Sequence, residues 1–147
     1  MPFCGPWRCR TVEAMPIDDH RAIELLTRVG YGRLATSMRA MPFVAPAHHI
    51  VEDGAVLLRM HGGFDYHHAC NGSVVAYGAD NLNTGAAALW SVQFTGTARI
   101  TEPSEEQVLR FGARPHRIDG QDFRPVHLRI DPQFVTVHTV DYVEEHP

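Results

Sequence analysis

From Leu89 to Thr101 the side chains alternate in a way only a β-strand accommodates. Trp90, Val92, Phe94, Ala98 and Ile100 fall on one face; Ser91, Gln93, Thr95, Thr97, Arg99 and Thr101 fall on the other. A strand this long bends, and Gly96 breaks its apolar face where a barrel bend or bulge belongs.

The same period of two recurs elsewhere. Tyr31 to Ser37 and Pro42 to Val51 read as strands, the second held towards an edge by Pro42 and Pro46. Glu52-Asp53-Gly54-Ala55 reads as a hairpin turn, because Asp-Gly supplies the positive φ angles of a tight reversal. Ala55 to Met60 returns as its partner. Ser73 to Ala79 reads as a buried strand and Asp80 to Ala86 as a loop. Val126, Leu128 and Ile130 alternate again, and Phe134 to Tyr142 makes a last strand. Helical spacing is confined to short stretches. Ala22, Leu25, Leu26 and Val29 form a stripe in a helix near Asp18 to Val29, with Asp18 or Asp19 as cap and Gly30 at the C′ position. Phe64 to Cys70 makes one or two turns between Gly62-Gly63 and Asn71-Gly72. A further helix starts at Pro103 or Ser104, where Ser104 and Gln107 fit a capping box.

These are too few helices for a βαβ fold. The reading is mainly β: a six- to seven-stranded antiparallel split β-barrel of Greek-key type with two or three short helices. A chain of 147 residues suits one such domain, over residues 16–147, preceded by a flexible tail over residues 1–15.

Composition removes several functions. The 13 basic residues are all arginine, so neither a lysine Schiff base to pyridoxal phosphate nor a Walker-type phosphate loop is possible. A net charge of −4 gives no basic footprint for nucleic acid, and no apolar run is long enough to span a bilayer. Cys4, Cys9 and Cys70 make an odd count, which favours a reducing cytoplasm over a disulfide framework. Cys-Gly-Pro-Trp at residue 4 resembles a thioredoxin-type motif, but four residues separate Cys4 from Cys9 where that motif has two.

Histidine is over-represented, with ten residues. His48 and His49 are adjacent on a strand, so they point to opposite faces and cannot share a site without a bulge. His61, His67 and His68 converge only if the Gly-Gly segment folds back, and no carboxylate or cysteine stands beside them at a recognised zinc spacing, so no metal is expected. No serine has a nucleophile-elbow context. One segment suits a ligand. Leu57-Leu58-Arg59-Met60-His61-Gly62-Gly63 puts an arginine and a histidine at a strand end, before glycines whose backbone permits close approach. Arginine's planar fork matches a phosphate.

At this point the chain resembles a family. Val29-Gly30-Tyr31-Gly32-Arg33-Leu34-Ala35-Thr36, Pro42-Phe43-Val44-Ala45-Pro46 and Val56-Leu57-Leu58-Arg59-Met60-His61 are similar to the opening strands of the pyridoxamine 5′-phosphate oxidase-like, FMN-binding split-barrel proteins common in actinobacteria. Ser73 to Tyr77, Trp90 to Arg99 and Val126 to Ile130 with Val135-Thr136 resemble the later ones, in the same order from about Asp18 to Val140. The resemblance implies a homodimer with two flavin sites at the subunit interface and an FMN-dependent oxidoreductase acting on a small molecule. It places Arg59, Met60, His61 and Gly62 at the phosphate and ribityl chain. Trp90 and Ser91 would reach the flavin from one side, and His48 and His49 would pass near its ring. Family members commonly carry Thr or Ser after the arginine and a lysine shortly beyond. Met60 and, approximately, Asp65 stand there in this chain, which leaves the usual phosphate grip incomplete. His61 resembles the nitroimidazole-reductase-like branch, and other relatives bind haem or a deazaflavin coenzyme. A haem- or deazaflavin-binding relative, or a non-catalytic binding protein on the same barrel, is therefore the alternative reading.

Overall fold

The structure, a computed structural model, describes residues 9–11 and 16–142. Its strands are β1 (Cys9–Thr11), β2 (Tyr31–Met38), β3 (Met41–Glu52), β4 (Ala55–His61), β5 (Val74–Asp80), β6 (Ala88–Ile100), β7 (Arg117–Ile118), β8 (Gln121–Asp122) and β9 (Pro125–Asp141). Its helices are α1 (Pro16–Thr27), α2 (Tyr66–Cys70) and α3 (Glu105–Phe111), with a 3₁₀ turn at Gly62–Phe64 before α2.

Six antiparallel strands close into a ring in the order β9-β4-β3-β2-β5-β6, and β6 pairs back onto β9. Strands β2, β3 and β4 follow one another as hairpins, and β5 then returns to lie beside β2. That is the Greek-key order, and the return runs through the Gly62–Phe64 turn and α2. The barrel expected from alternation is therefore the observed one. Helix α1 closes one end, burying Ala22, Leu25 and Leu26 against Leu34, Val56, Leu58, Tyr77, Phe94, Leu128 and Ile130.

The predicted Asp53-Gly54 turn has φ of 51° and 77°, the type I′ pattern that matches strand twist. Gly96 sits at the one irregularity of the β6–β9 register, and a Cβ there would lie 2.1 Å from the Asp131 carbonyl oxygen. Its partner strand carries the extra residue: Pro132 opposes Gly96 and Phe134 opposes Thr95, leaving Gln133 unpaired with β6. This bulge lets one 17-residue strand replace the two read from the sequence, and β9 bends through the bulge without ending.

Other expectations need correcting. Helix α1 begins at Pro16, so Asp18 and Asp19 lie within the helix and not at its N-cap position. Gly30 is not a left-handed C′ residue; its carbonyl accepts the His49 amide instead. Strand β3 is not at an edge as a whole. Its proline-bearing half pairs only with β2, and its second half pairs with β4, so the missing proline N–H groups leave the β3–β4 ladder intact. Two hairpins went unread: Arg39-Ala40 (φ 53° and 63°) between β2 and β3, and Asp119-Gly120 (φ 49° and 78°) between β7 and β8. Of the segment read as a tail, Cys9–Thr11 pairs with β9 at Phe134 to Thr136; Cys4 and the rest of that segment lie outside the described residues. No helix among the described residues is long and apolar enough to cross a membrane.

Candidate functional site

Strand β4 is buried on both faces, which its sequence explains. Val56, Leu58 and Met60 point into the barrel, whereas Leu57, Arg59 and His61 point outward beneath α3 and the connection that follows it. The capping box foreseen at Ser104 and Gln107 anchors α3: the Gln107 amide donates to Ser104 Oγ at 3.1 Å, and the Ser104 amide donates to Gln107 Oε1 at 2.9 Å. At its other end Phe111 lands on the outer face of β4 with Ile50 and Leu57.

Strand register aligns a row across four strands. Tyr31 on β2 opposes His48 on β3, His48 opposes Arg59 on β4, and Arg59 opposes His127 on β9. Tyr31 stacks on His48 at 4.8 Å, and Phe111 covers the row, with the Arg59 guanidinium carbon 5.3 Å from its ring centre. Arg59 is only 5% exposed, yet its partners are neutral. It donates to the carbonyls of Gly112 (3.1 Å) and Ala113 (3.0 Å) and to His48 Nδ1 (3.2 Å), while its buried Nε has no hydrogen-bond partner. No carboxylate pairs with it among the described residues. Burial lowers its pKa from the usual guanidinium range; Tyr31 opposes the shift and Arg114 adds to it. Burial first, then the charge of Arg59, also lowers the pKa of His48 and His127. The row therefore presents a single fixed positive charge among neutral imidazoles. Chemically it is an anion acceptor with an aromatic margin.

Next along β4, His61 is buried against Phe64 and Phe123. Its Nδ1 accepts the Arg124 amide at 3.1 Å, so a neutral ring carries its proton on Nε2, and that buried atom has no partner. A Cβ on Gly63 would lie 2.3 Å from this nitrogen, which explains the glycine. Gly62 is close-packed too, but against the chain itself: its amide donates to the Arg124 carbonyl at 2.8 Å, and a Cβ would meet Val126. Phe123 stacks on His61 and also lines a cavity of about 340 Å³ with Arg114, Pro115, His116 and Asp122.

The other residues singled out from sequence go elsewhere. Met60 is a core residue. His49 points inward as strand alternation required, with Nε2 2.9 Å from the Leu26 carbonyl and Nδ1 on the Tyr77 hydroxyl. Trp90 is also in the core cluster, and with Ser91 it borders an apolar cavity of about 290 Å³ lined by Leu82, Leu89, His138 and Val140. Trp90 and Ser91 pair with Thr139 and His138, the opposite end of β9 from His127, so one chain does not bring them to Arg59. His67 and His68 come together with ring centres 4.1 Å apart, while His61 faces the Phe64 and Phe123 rings. Sequence reasoning missed Tyr31, Phe111 and His127. The alternation that put Leu128 and Ile130 inside already put His127 outside, but its neighbour in the row depends on register.

The family model described as pyridoxamine 5′-phosphate oxidase matches residues 18–139. An uncharacterized protein of Mycobacterium tuberculosis is 35% identical over 130 residues, covering 84% of each chain. The FAD binding protein of Mycobacterium smegmatis shares the fold at TM-score 0.65, with 22% identity over 82% of this chain and 95% of that one. The FAD and heme binding protein of the same organism shares it at TM-score 0.62, with 11% identity over 87% and 74%.

Proposed function

The chain belongs to the pyridoxamine 5′-phosphate oxidase family, and from that premise we propose that it binds a flavin, FMN in the first instance, and acts as an oxidoreductase on a small molecule. The observation that carries this reading is Arg59, a buried guanidinium with neutral acceptors only. A buried cation without a counter-charge is costly, and a phosphate supplies the missing charge in the geometry the guanidinium fork matches. Gly112 and Ala113 are exposed, so their carbonyls return to water when a phosphate takes their place.

Arg59 holds the phosphate in this reading, and His48 orients Arg59 by accepting one of its N–H groups. His61 offers the unpaired Nε2–H as a second donor. A bound flavin supplies the electron or hydride transfer; the protein binds it, orients it and excludes water. Trp90 and Ser91 contribute only from a second copy, since in one chain they pair with the end of β9 far from His127. The exposed apolar side chains of Tyr31, Met41 and Val44, on the first hairpin, support such a homodimer.

Arg59→Met tests the assignment. Charged hydrogen bonds contribute about 1.5–3 kcal/mol, so flavin affinity falls roughly 10- to 100-fold. The apo protein keeps its melting temperature, because the substitution removes an uncompensated charge. Affinity for FMN and FAD within a factor of two of the wild type overturns the phosphate role.

A further inference from the structure

The Gly62–Phe64 turn and α2 carry a second cluster that the row on β4 does not use. Asp65 lies between them in the left-handed region (φ 62°), and its carboxylate makes no capping hydrogen bond to α2. That conformation brings Asp65 Oδ1 to 3.8 Å from His68 Nε2. One ligand atom each from Asp65, His67 and His68 lies within 4.8 Å of the other two. His67 adds an independent sign. It is 8% exposed, and its Nδ1 is buried without a hydrogen bond, an unmet demand in a ring held against its neighbours.

We propose that Asp65, His67 and His68 bind a divalent transition-metal ion of the zinc class, with solvent completing the shell. Two imidazoles and one carboxylate are a donor set such ions accept, at about 2.0–2.2 Å per ligand. Ligands on a tetrahedral ion then stand about 3.4 Å apart, so the cluster tightens by about 1 Å on binding. Asp65 and His68 are exposed side chains that can rotate to do this, while His67 is the fixed point. Arg124 is the opposing charge beside His67, and the carboxylate of Asp65 offsets it.

The test is titration of the full chain with Co²⁺, followed by its visible bands and then by displacement with Zn²⁺. The wild type is expected to take up one saturable equivalent. His68→Ala and Asp65→Asn, both at exposed positions, weaken that equivalent at least about 10-fold with unchanged far-UV circular dichroism. His20→Ala, an exposed histidine elsewhere, leaves it intact. No saturable Co²⁺ equivalent in the wild type, or equal loss in His20→Ala, overturns the site. So does equal affinity in the wild type, His68→Ala and Asp65→Asn.

Discussion

Tyr77→Phe isolates one hydroxyl in the middle of the barrel. Tyr77 is fully buried on β5, and its oxygen stands between the Ala47 carbonyl at 3.1 Å and His49 Nδ1. His49 is 4% exposed and gives its Nε2–H to the Leu26 carbonyl on α1. The two side chains and two carbonyls thus tie α1 to β3 and β5 across the core. Phenylalanine fills the same volume, so no cavity contributes. What is lost is the partner of a buried imidazole nitrogen, a cost of about 1–3 kcal/mol. For a domain of this size each kcal/mol lowers the melting temperature by about 2–4 °C. A drop of roughly 4–8 °C by calorimetry at neutral pH is therefore expected. Tyr142→Phe, at an exposed position, serves as control and leaves the transition in place. A Tyr77→Phe transition within 1 °C of wild type would refute the idea that this hydroxyl satisfies His49.

Other perturbations follow the same physics. Ala40→Gly relieves an alanine held at φ 63°, where an L-residue costs about 1–2 kcal/mol, partly offset by the freedom glycine adds to the unfolded chain. Its melting temperature should rise by about 1–3 °C, and a fall would contradict the turn assignment. Burial lowers the pKa of His48, His49, His67, His127 and His138 below 6.5, so the folded state keeps them neutral while the unfolded chain takes up protons. Stability is then complete above about pH 6.5 and declines as pH falls through it, levelling below the folded values. Urea midpoints that stay flat between pH 7.5 and 5.5 would exclude this coupling.

The barrel was legible in the sequence because its signals are local. Alternation along β6 states which face is buried, Asp53-Gly54 names its own turn, and Ser104 with Gln107 names its own cap. The continuity of β9 was not legible, since a bulge at Gln133 shifts the phase of alternation and makes one strand read as two. The Arg39-Ala40 turn was hidden for a different reason: no glycine marks it, and the pairing of β2 with β3 imposes the positive φ angles. Among the candidate site residues, Arg59 and His48 were singled out from sequence, and the structure brings them together in the outer row. Met60 shows the limit of a contiguous motif, because adjacent strand residues face opposite ways and only alternate ones share a site. The Tyr31–His48–Arg59–His127 row is a product of register across four strands. Asp65 joins His67 and His68 through one left-handed residue, a backbone choice that spacing alone did not reveal.

The most direct test of the flavin reading is the visible absorption spectrum of the purified full chain, alone and after mixing with FMN or FAD, then gel filtration. A flavin spectrum that co-elutes with the protein is the predicted result. A colourless protein that releases both flavins on the column would contradict the account, as would a Soret band without flavin absorption.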